Sequence, residues 1–233
     1  MPDRSFNLAI ETSSRCGSIS LGRDDRLLES VELDQPQRHN VALMPGIDAM
    51  VARHGATAGQ LGEVYVSIGP GSFTGLRVAV ATAKMLALTG GACTVAVPTI
   101  EVTARNCPPD VKHLAVCLSC KHDRIYAGLF DRVGDTIRPN GQPRLMTVTQ
   151  LLAESPRPLA ILGDPLPDMD GPGTNAGDTI RHLPPELAIP RSDHVWHLGR
   201  ESARAGRTTD PFALLPLYAR EPEAVELWNS QRR

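Results

Sequence analysis

A glycine-rich segment is the part of the sequence that could most directly do chemistry. It lies between a predicted buried strand at residues 64–68 and a predicted helix at residues 76–88, and consists of Gly69, Pro70, Gly71, Ser72, Phe73, Thr74 and Gly75. A glycine turn at a helix N-terminus exposes backbone N–H groups that can bind an anion such as phosphate. The same residues can instead form a tight turn in which Ser72 or Thr74 caps the helix. We favour the turn, because glycine-rich turns outnumber phosphate sites.

Two glycine motifs with known chemistry do not fit this segment. A Walker loop needs Lys followed by Ser or Thr, and that pair is missing here. A nucleophile elbow, G-x-S-x-G, would need glycines where Pro70 and Thr74 stand. Ser72 is therefore a poor candidate for a nucleophile.

A second group of polar residues ends the first predicted strand. Glu11, Thr12 and Ser13 follow a short apolar run. In an α/β fold, an acid and hydroxyls at the carboxyl end of a strand can meet a Mg-nucleotide. The same residue types also build ordinary turns by bonding to nearby backbone, so a nucleotide-binding role and a turn both stay open.

Potential metal ligands are poorly arranged. A partner for His39 one helical turn later would have to be Leu43, which cannot bind metal. Cys117 and Cys120 form a C-x-x-C pair with His122 nearby, but residues three apart on a strand face opposite sides, and no second cysteine pair completes a zinc site. We predict no metal site and no catalytic residue in this chain.

The predicted elements indicate an α/β fold. Three strands come first, at residues 7–11, 17–21 and 27–33, followed by a helix that ends near Gly55, then strand, helix and strand. A boundary is expected at Pro108, giving an N-terminal lobe of residues 1–107 and a smaller, irregular lobe of residues 108–233. In the second lobe we predict a hairpin, a short helix with a capping box at Thr147, and a loop-rich stretch at residues 163–190. A last helix is predicted to start at an Asp193 cap.

The overall composition argues against an RNA-binding or membrane-spanning protein. The chain has 233 residues, 24 basic and 26 acidic, and no basic stripe, so we do not expect it to bind RNA tightly by itself. No apolar stretch approaches the roughly 18 residues of a membrane span. The five cysteines are an odd, scattered set, which favours free thiols in a reducing compartment. We predict a cytoplasmic protein without membrane contact.

Two predicted helices carry small or apolar stripes. Met44, Ile47 and Val51 lie at helical spacing in the first helix, and Val80 lies beside a row of alanines in the second. Such stripes most simply face the sheet. A surface for a partner protein is the alternative, because methionines and small residues suit close helix packing.

Four segments resemble the TsaB family, also called YeaZ. They are GPGSFTGLR at residues 69–77, which includes Arg77, NLAIETSS at residues 7–14, RHNVALMPGI at residues 38–47, and PLYAREPEA at residues 216–224. The first match is highly specific, and together the four span almost the whole chain. The resemblance implies an actin-like ATPase (ribonuclease H-like) fold of two lobes, the second reduced.

The resemblance also implies a function. TsaB-like proteins are non-catalytic scaffold subunits that pair with the TsaD transferase for threonylcarbamoylation of adenosine 37 in tRNAs reading ANN codons; TsaE, an ATPase, joins them. No cofactor is then expected in this subunit, ATP and metal belong to the partner subunits, and tRNA is reached through the complex. A homodimer of the isolated chain stays open.

The family's interface helices suggest specific contacts with the TsaD-type partner. The expected contact residues are Met44, Ile47, Val51, Leu76, Val80 and Lys84. The catalytic relative has H-x-x-x-H where this chain has His39 and Leu43, which fits a scaffold role. One departure is the sequence Ser119, Cys120, Lys121, where many relatives have Asp-Ala-Arg.

An enzyme of the same fold class is the alternative function. It would be a nucleotide-binding protein or small-molecule phosphotransferase that uses Glu11, Thr12 and the glycine loop to hold ATP. The short second lobe argues against it, because a nucleotide cleft needs two developed walls. A peptidase has no support from the residues.

Overall fold

The computed structural model describes residues 4–33, 39–120, 124–164, 166 and 179–219. In chain order, the strands and helices are β1 (Phe6–Glu11), β2 (Ser18–Arg23), β3 (Arg26–Glu32), α1 (His39–Arg53), β4 (Leu61–Gly69), α2 (Phe73–Gly90), β5 (Cys93–Pro98), α3 (Thr99–Ala104), β6 (His113–Ser119), β7 (Arg124–Val133), β8 (Thr136–Pro139), β9 (Arg144–Thr147), α4 (Val148–Glu154), β10 (Leu159–Gly163), β11 (Ile180–His182) and α5 (Ser192–Arg204). The strands and helices of residues 6–104 follow the predicted order.

The described residues divide into two compact units. Unit 1 comprises those of Met1–Val102 and Pro190–Leu217, and unit 2 those of Thr103–Ile189 and Tyr218–Arg233. The division differs from the predicted lobes of residues 1–107 and 108–233, because residues 190–217 return to unit 1. Hydrogen bonds hold them there: the Ser192 N–H donates to Oγ of Ser18 at 3.0 Å, and the Trp196 indole N–H donates to Oδ1 of Asn7.

The sheet of unit 1 has the order β3-β2-β1-β4-β5. Its first three strands are antiparallel, whereas β1, β4 and β5 run parallel. Successive side chains of a strand face opposite sides of the sheet. Accordingly, Leu8 and Ile10 pack in the core cluster shared with α1 and α2, while Ala9 lies in the cluster that contains Trp196 of α5. Helices therefore cover both faces of this sheet.

The ends of α2 are set by local residues. Ser72 is the N-cap, and Gly91 ends the helix in the left-handed conformation with φ 72°. Glycine is favoured there because it lacks the Cβ that makes this conformation unfavourable. The helix itself begins three residues earlier than the predicted start at Leu76.

Unit 2 repeats the topology of unit 1. Its sheet has the order β11-β10-β6-β7-β8, with β9 also paired to β7. From β8 to β11, these strands occupy the same places as β3, β2, β1, β4 and β5 of unit 1. The strand directions also agree, since β6 is antiparallel to β7 and parallel to β10, as β1 is to β2 and to β4. The described residues therefore contain the same sheet twice.

Three local predictions for the second lobe have different outcomes. The capping box at Thr147 is confirmed. The N-cap of α5 is Arg191, not Asp193, whose carboxylate lies in the first turn and accepts the 2.9 Å hydrogen bond from the N–H of His194. Residues 163–190 are not all loop, since β11 lies within them; residues 165 and 167–178 lie outside the described part.

Candidate functional site: the glycine loop and the exposed face of α2

The glycine loop joins β4 to α2, and its serine caps the helix. Oγ of Ser72 accepts a 3.3 Å hydrogen bond from the N–H of Gly75. Between the two predicted caps, the structure therefore selects Ser72 over Thr74. The turn interpretation explains this hydrogen bond without a ligand.

Two glycines let the loop approach the chain after β1. A Cβ on Gly71 would lie 2.5 Å from the carbonyl oxygen of Ser13, and one on Gly75 would lie 1.8 Å from that of Thr12. Real Cβ atoms do not approach backbone oxygens so closely. The backbone N–H of Ser72 donates to the carbonyl of Ser13 at 2.6 Å. These glycines are required by backbone-to-backbone contact within unit 1.

Gly69 is required at the other end of the loop. It has φ 113°, and a Cβ there would lie 2.3 Å from the carbonyl oxygen of Leu217. Its N–H donates to Oγ1 of Thr99 at 2.9 Å, and that hydroxyl also lies 2.6 Å from Oγ of Ser67. The Gly69–Pro70 peptide bond is cis. The loop is thus held between α3 and residues 208–217.

The structure brings Glu11, Thr12 and Ser13 against this loop, as a shared site would need. All three are buried. The N–H and the Oγ–H of Ser13 each donate to Oε1 of Glu11 at 2.5 Å, and Oγ1 of Thr12 donates to the carbonyl of Gly75 at 2.8 Å. These N–H and O–H groups donate to atoms of the protein itself, as expected if Glu11, Thr12 and Ser13 form an ordinary turn.

The outward face of α2 carries exposed apolar residues. Met85 is 60% exposed and Leu88 is 54% exposed. Phe73, Arg77 and Ala81 precede them at intervals of four, and all are exposed. The guanidinium carbon of Arg77 lies 3.8 Å from the ring centroid of Phe73, within cation–π range. On α1, Val41 and Met44 are also exposed.

Four of the six expected contact residues are corrected by the structure, because their side chains are buried. Ile47, Val51, Leu76 and Val80 are buried in unit 1, because their sides of α1 and α2 face the sheet. Met44 is exposed and Lys84 is half-buried. The expected set did not include the exposed apolar residues Val41, Phe73, Met85 and Leu88. A helical wheel of α2 could have identified Met85 and Leu88, since they lie opposite the small residues Ala79, Ala83 and Ala87.

In unit 2, the first cysteine of the Cys117–Cys120 pair is packed in the core. Cys117 is buried, and burial raises the pKa of its thiol to about 12. The N–H of Ser119 donates to Oδ2 of Asp164 at 2.8 Å, so an acid that directly follows β10 bonds to the segment where relatives have Asp-Ala-Arg. Lys121 and His122 lie outside the described residues.

The described residues contain no group of three or more His, Cys, Asp or Glu side chains that could hold a metal ion. Within the same ranges, no helix is both long and apolar enough to cross a membrane.

The repeated sheet with helices on both faces in unit 1 defines the class as an α/β protein of the actin-like ATPase (ribonuclease H-like) fold. The family model described as TsaD, tRNA N6-adenosine threonylcarbamoyltransferase, matches residues 27–164, more than half of the chain. The chain therefore belongs to that family, in its TsaB (YeaZ) branch. The resemblance predicted from the four sequence segments is confirmed.

Individual relatives agree with this assignment. The tRNA threonylcarbamoyladenosine biosynthesis protein TsaB of Bacillus subtilis (strain 168) is 26% identical over 231 residues, covering 95% of this chain and 96% of that protein. The protein of the same name from Escherichia coli (strain K12) is 29% identical over 99 residues, 42% of each chain.

Solved structures share the fold. YeaZ from Pseudomonas aeruginosa has a TM-score of 0.75 at 20% identity and covers 91% of this chain and 100% of its own. A Pseudomonas aeruginosa protein described as similar to peptidase YEAZ has a TM-score of 0.73 at 20% identity, covering 93% of this chain and 100% of its own.

Proposed function

We propose that this chain is a non-catalytic subunit of the machinery that forms threonylcarbamoyladenosine at position 37 of tRNA. It acts by pairing its α1–α2 face with a TsaD-type transferase subunit, and a TsaE-type ATPase joins them. The names of the curated relatives support the pathway. The proposal puts the protein in the cytoplasm, where tRNA is modified, and leaves tRNA, ATP and metal to the complex.

The observation that carries the pairing is the exposed apolar face of α2. Met85 and Leu88 are large side chains exposed to water on the side of α2 opposite its buried alanines, and Phe73 is exposed at the first residue of the helix. Apolar area removed from water stabilises an association by roughly 25 cal/mol per Å² before the costs of ordering. With Val41 and Met44 of α1, these residues form a surface suited to another pair of helices.

The glycine loop supports a non-catalytic role. An anion site at the start of α2 needs N–H groups that point to solvent. Here the N–H of Ser72 bonds to Ser13, and that of Gly75 bonds to Ser72. The hydroxyls of Thr12 and Ser13 are also used within the chain. A phosphate that bound the N–H groups of Ser72 and Gly75 would have to displace these two contacts.

Binding to the TsaD-type subunit of the same organism tests the pairing. The two purified chains should form a complex in calorimetry and light scattering. Met85→Glu should weaken it at least about tenfold, since it removes an apolar contact and places a charge in a desolvated interface. Val133→Glu is the matched control, because Val133 is equally exposed, at 63%, but lies in unit 2. Absence of a complex for the wild type would refute the pairing.

Reconstitution of the modification reaction from purified subunits tests which subunit is catalytic. The chain alone should form no threonylcarbamoyladenosine, and the TsaD-type and TsaE-type subunits should need it for full activity. Thermal unfolding with Mg-ATP tests the phosphotransferase alternative, since a ligand at 100 times its Kd adds about 2.7 kcal/mol. We expect no shift for the isolated chain. A clear shift would favour a nucleotide-binding protein.

A further inference from the structure

Residues 208–217 form a strap that is fixed to unit 1 at both ends. The N–H of Thr209 donates to the carbonyl of Thr94 in β5 at 2.7 Å, and the N–H of Ala96 donates to Oγ1 of Thr209 at 3.2 Å. At the other end, the N–H of Leu217 donates to the carbonyl of Ile68 in β4 at 2.7 Å. The strap is therefore hydrogen-bonded to β5 at one end and to β4 at the other.

A closed turn in the middle of the strap separates one buried leucine from two exposed apolar side chains. The carbonyl of Asp210 accepts the N–H groups of Ala213 and Leu214, both at 2.9 Å. Leu214 is fully buried in the core cluster shared with α1 and α2. Phe212 and Leu215 are 75% and 66% exposed. An ordered turn that presents such side chains loses little entropy on binding, which favours a contact site.

The strap continues the exposed face of α2. It packs on the same side of the sheet, because Leu214 shares the core of α1 and α2. Nζ of Lys84 on α2 lies 3.5 Å from the carbonyl oxygen of Phe212. The charged residues of α2 are Arg77 and Lys84, both basic. A chain that covers α2 therefore reaches Phe212, and acidic groups on it would complement this helix.

We propose that the strap is part of the partner-binding surface, with Phe212 and Leu215 contacting the same TsaD-type subunit that covers α2. The facing surface of that subunit is apolar, with acidic groups opposite Arg77 and Lys84. This inference rests on the proposed function and deepens it. It assigns a role to a segment distant in sequence from both helices.

Calorimetric titration of the full-length chain with the TsaD-type subunit tests the strap. The double variant Phe212→Ser, Leu215→Ser should weaken binding at least about tenfold, the effect of losing two apolar anchors. Its thermal unfolding should match that of the wild type, because Leu214 is unchanged. Leu215→Ser alone, which leaves the Phe212 turn intact, should show a smaller loss in the same direction. Val133→Ser is the matched control and should bind like the wild type.

The outcomes separate the strap from the helix face. If Met85→Glu weakens binding and the strap double variant binds within twofold of the wild type, the strap inference is overturned and the proposed pairing stands. If neither variant weakens binding, the α2 pairing itself is overturned. If the double variant changes only the self-association of the chain, measured by light scattering, the strap belongs to a contact between copies and the inference also fails.

Discussion

Oγ1 of Thr12 donates a 2.8 Å hydrogen bond to the carbonyl oxygen of Gly75, across 63 residues of sequence. In the same contact, a Cβ added to Gly75 would lie only 1.8 Å from the carbonyl oxygen of Thr12. The start of α2 is thus fixed to the end of β1 by a hydrogen bond and by the absence of a side chain. The glycine at position 75 of the loop is therefore explained by packing.

Gly75→Ala should therefore destabilise the protein. The added Cβ meets backbone, which cannot move aside cheaply, so we expect a loss of about 2–4 kcal/mol in the free energy of unfolding, measured with urea. Gly90→Ala in the same helix is the control, since its Cβ would meet nothing closer than 3.6 Å. The control should lie within about 1 kcal/mol of the wild type. Equal stabilities for the two variants would contradict the close contact.

Glutamate substitutions on the two sides of α2 should differ in their effect on stability. Val80 is 4% exposed in the core, so Val80→Glu buries a carboxylate and should cost about 3 kcal/mol or more. Met85→Glu stays in water and should change stability by about 0.5 kcal/mol or less. Thermal unfolding compares them. A wild-type melting temperature for Val80→Glu would contradict the burial of this side chain in the core.

The exposed ion pair between Asp25 and Arg200 should make the stability of the protein depend on pH. The Arg200 guanidinium hydrogen-bonded to Asp25 holds the pKa of that carboxyl below its ordinary value of 3.8, and Arg204 adds to the effect. Because the Asp25 carboxyl has a lower pKa in the folded protein than in the unfolded chain, the ion pair stabilises the fold at pH values above the ordinary pKa. This stabilisation is lost as the pH falls through the pKa of the folded protein.

Asp25→Asn measures this contribution. The difference in unfolding free energy between wild type and variant should be present at about pH 6 and shrink toward about pH 3. About 1 M NaCl should reduce the difference at pH 6, because exposed charges are screened. A difference that grows as the pH falls would have the wrong sign for this ion pair.

The cysteines should separate by reactivity with a thiol reagent. Cys16 and Cys93 are exposed and should react quickly at about pH 8, whereas Cys117 is buried. With a pKa of about 12, roughly one Cys117 thiol in ten thousand is ionised at that pH. Mass spectrometry of labelled peptides should find Cys117 modified only after denaturation. Fast labelling of Cys117 in the native protein would show that its strand is not packed as described.

Local signals in the sequence predicted much of the fold. Ser72 and Gly91 bound α2, and Thr147 with Gln150 opens α4, because capping residues satisfy backbone groups within a few positions of themselves. The strands of unit 1 were predicted for a similar reason, since alternating or continuous apolar residues reveal burial within one segment. The family resemblance then supplied the class of fold.

Contacts between distant segments could not be predicted in this way. Which side of α2 is buried depends on where the sheet lies, and this moved Ile47, Val51, Leu76 and Val80 from the expected interface into the core. The return of residues 190–217 to unit 1 depends on partners such as Ser20 and Ser192, whose hydroxyls lie 2.7 Å apart across 172 residues. Local patterns in the sequence predicted the order of the elements over residues 6–104 and caps such as Ser72 and Thr147, because those signals lie within one segment. The packing of distant segments sets which faces stay in water and which strap lies beside them, since chain reversals bring together residues with no common local pattern.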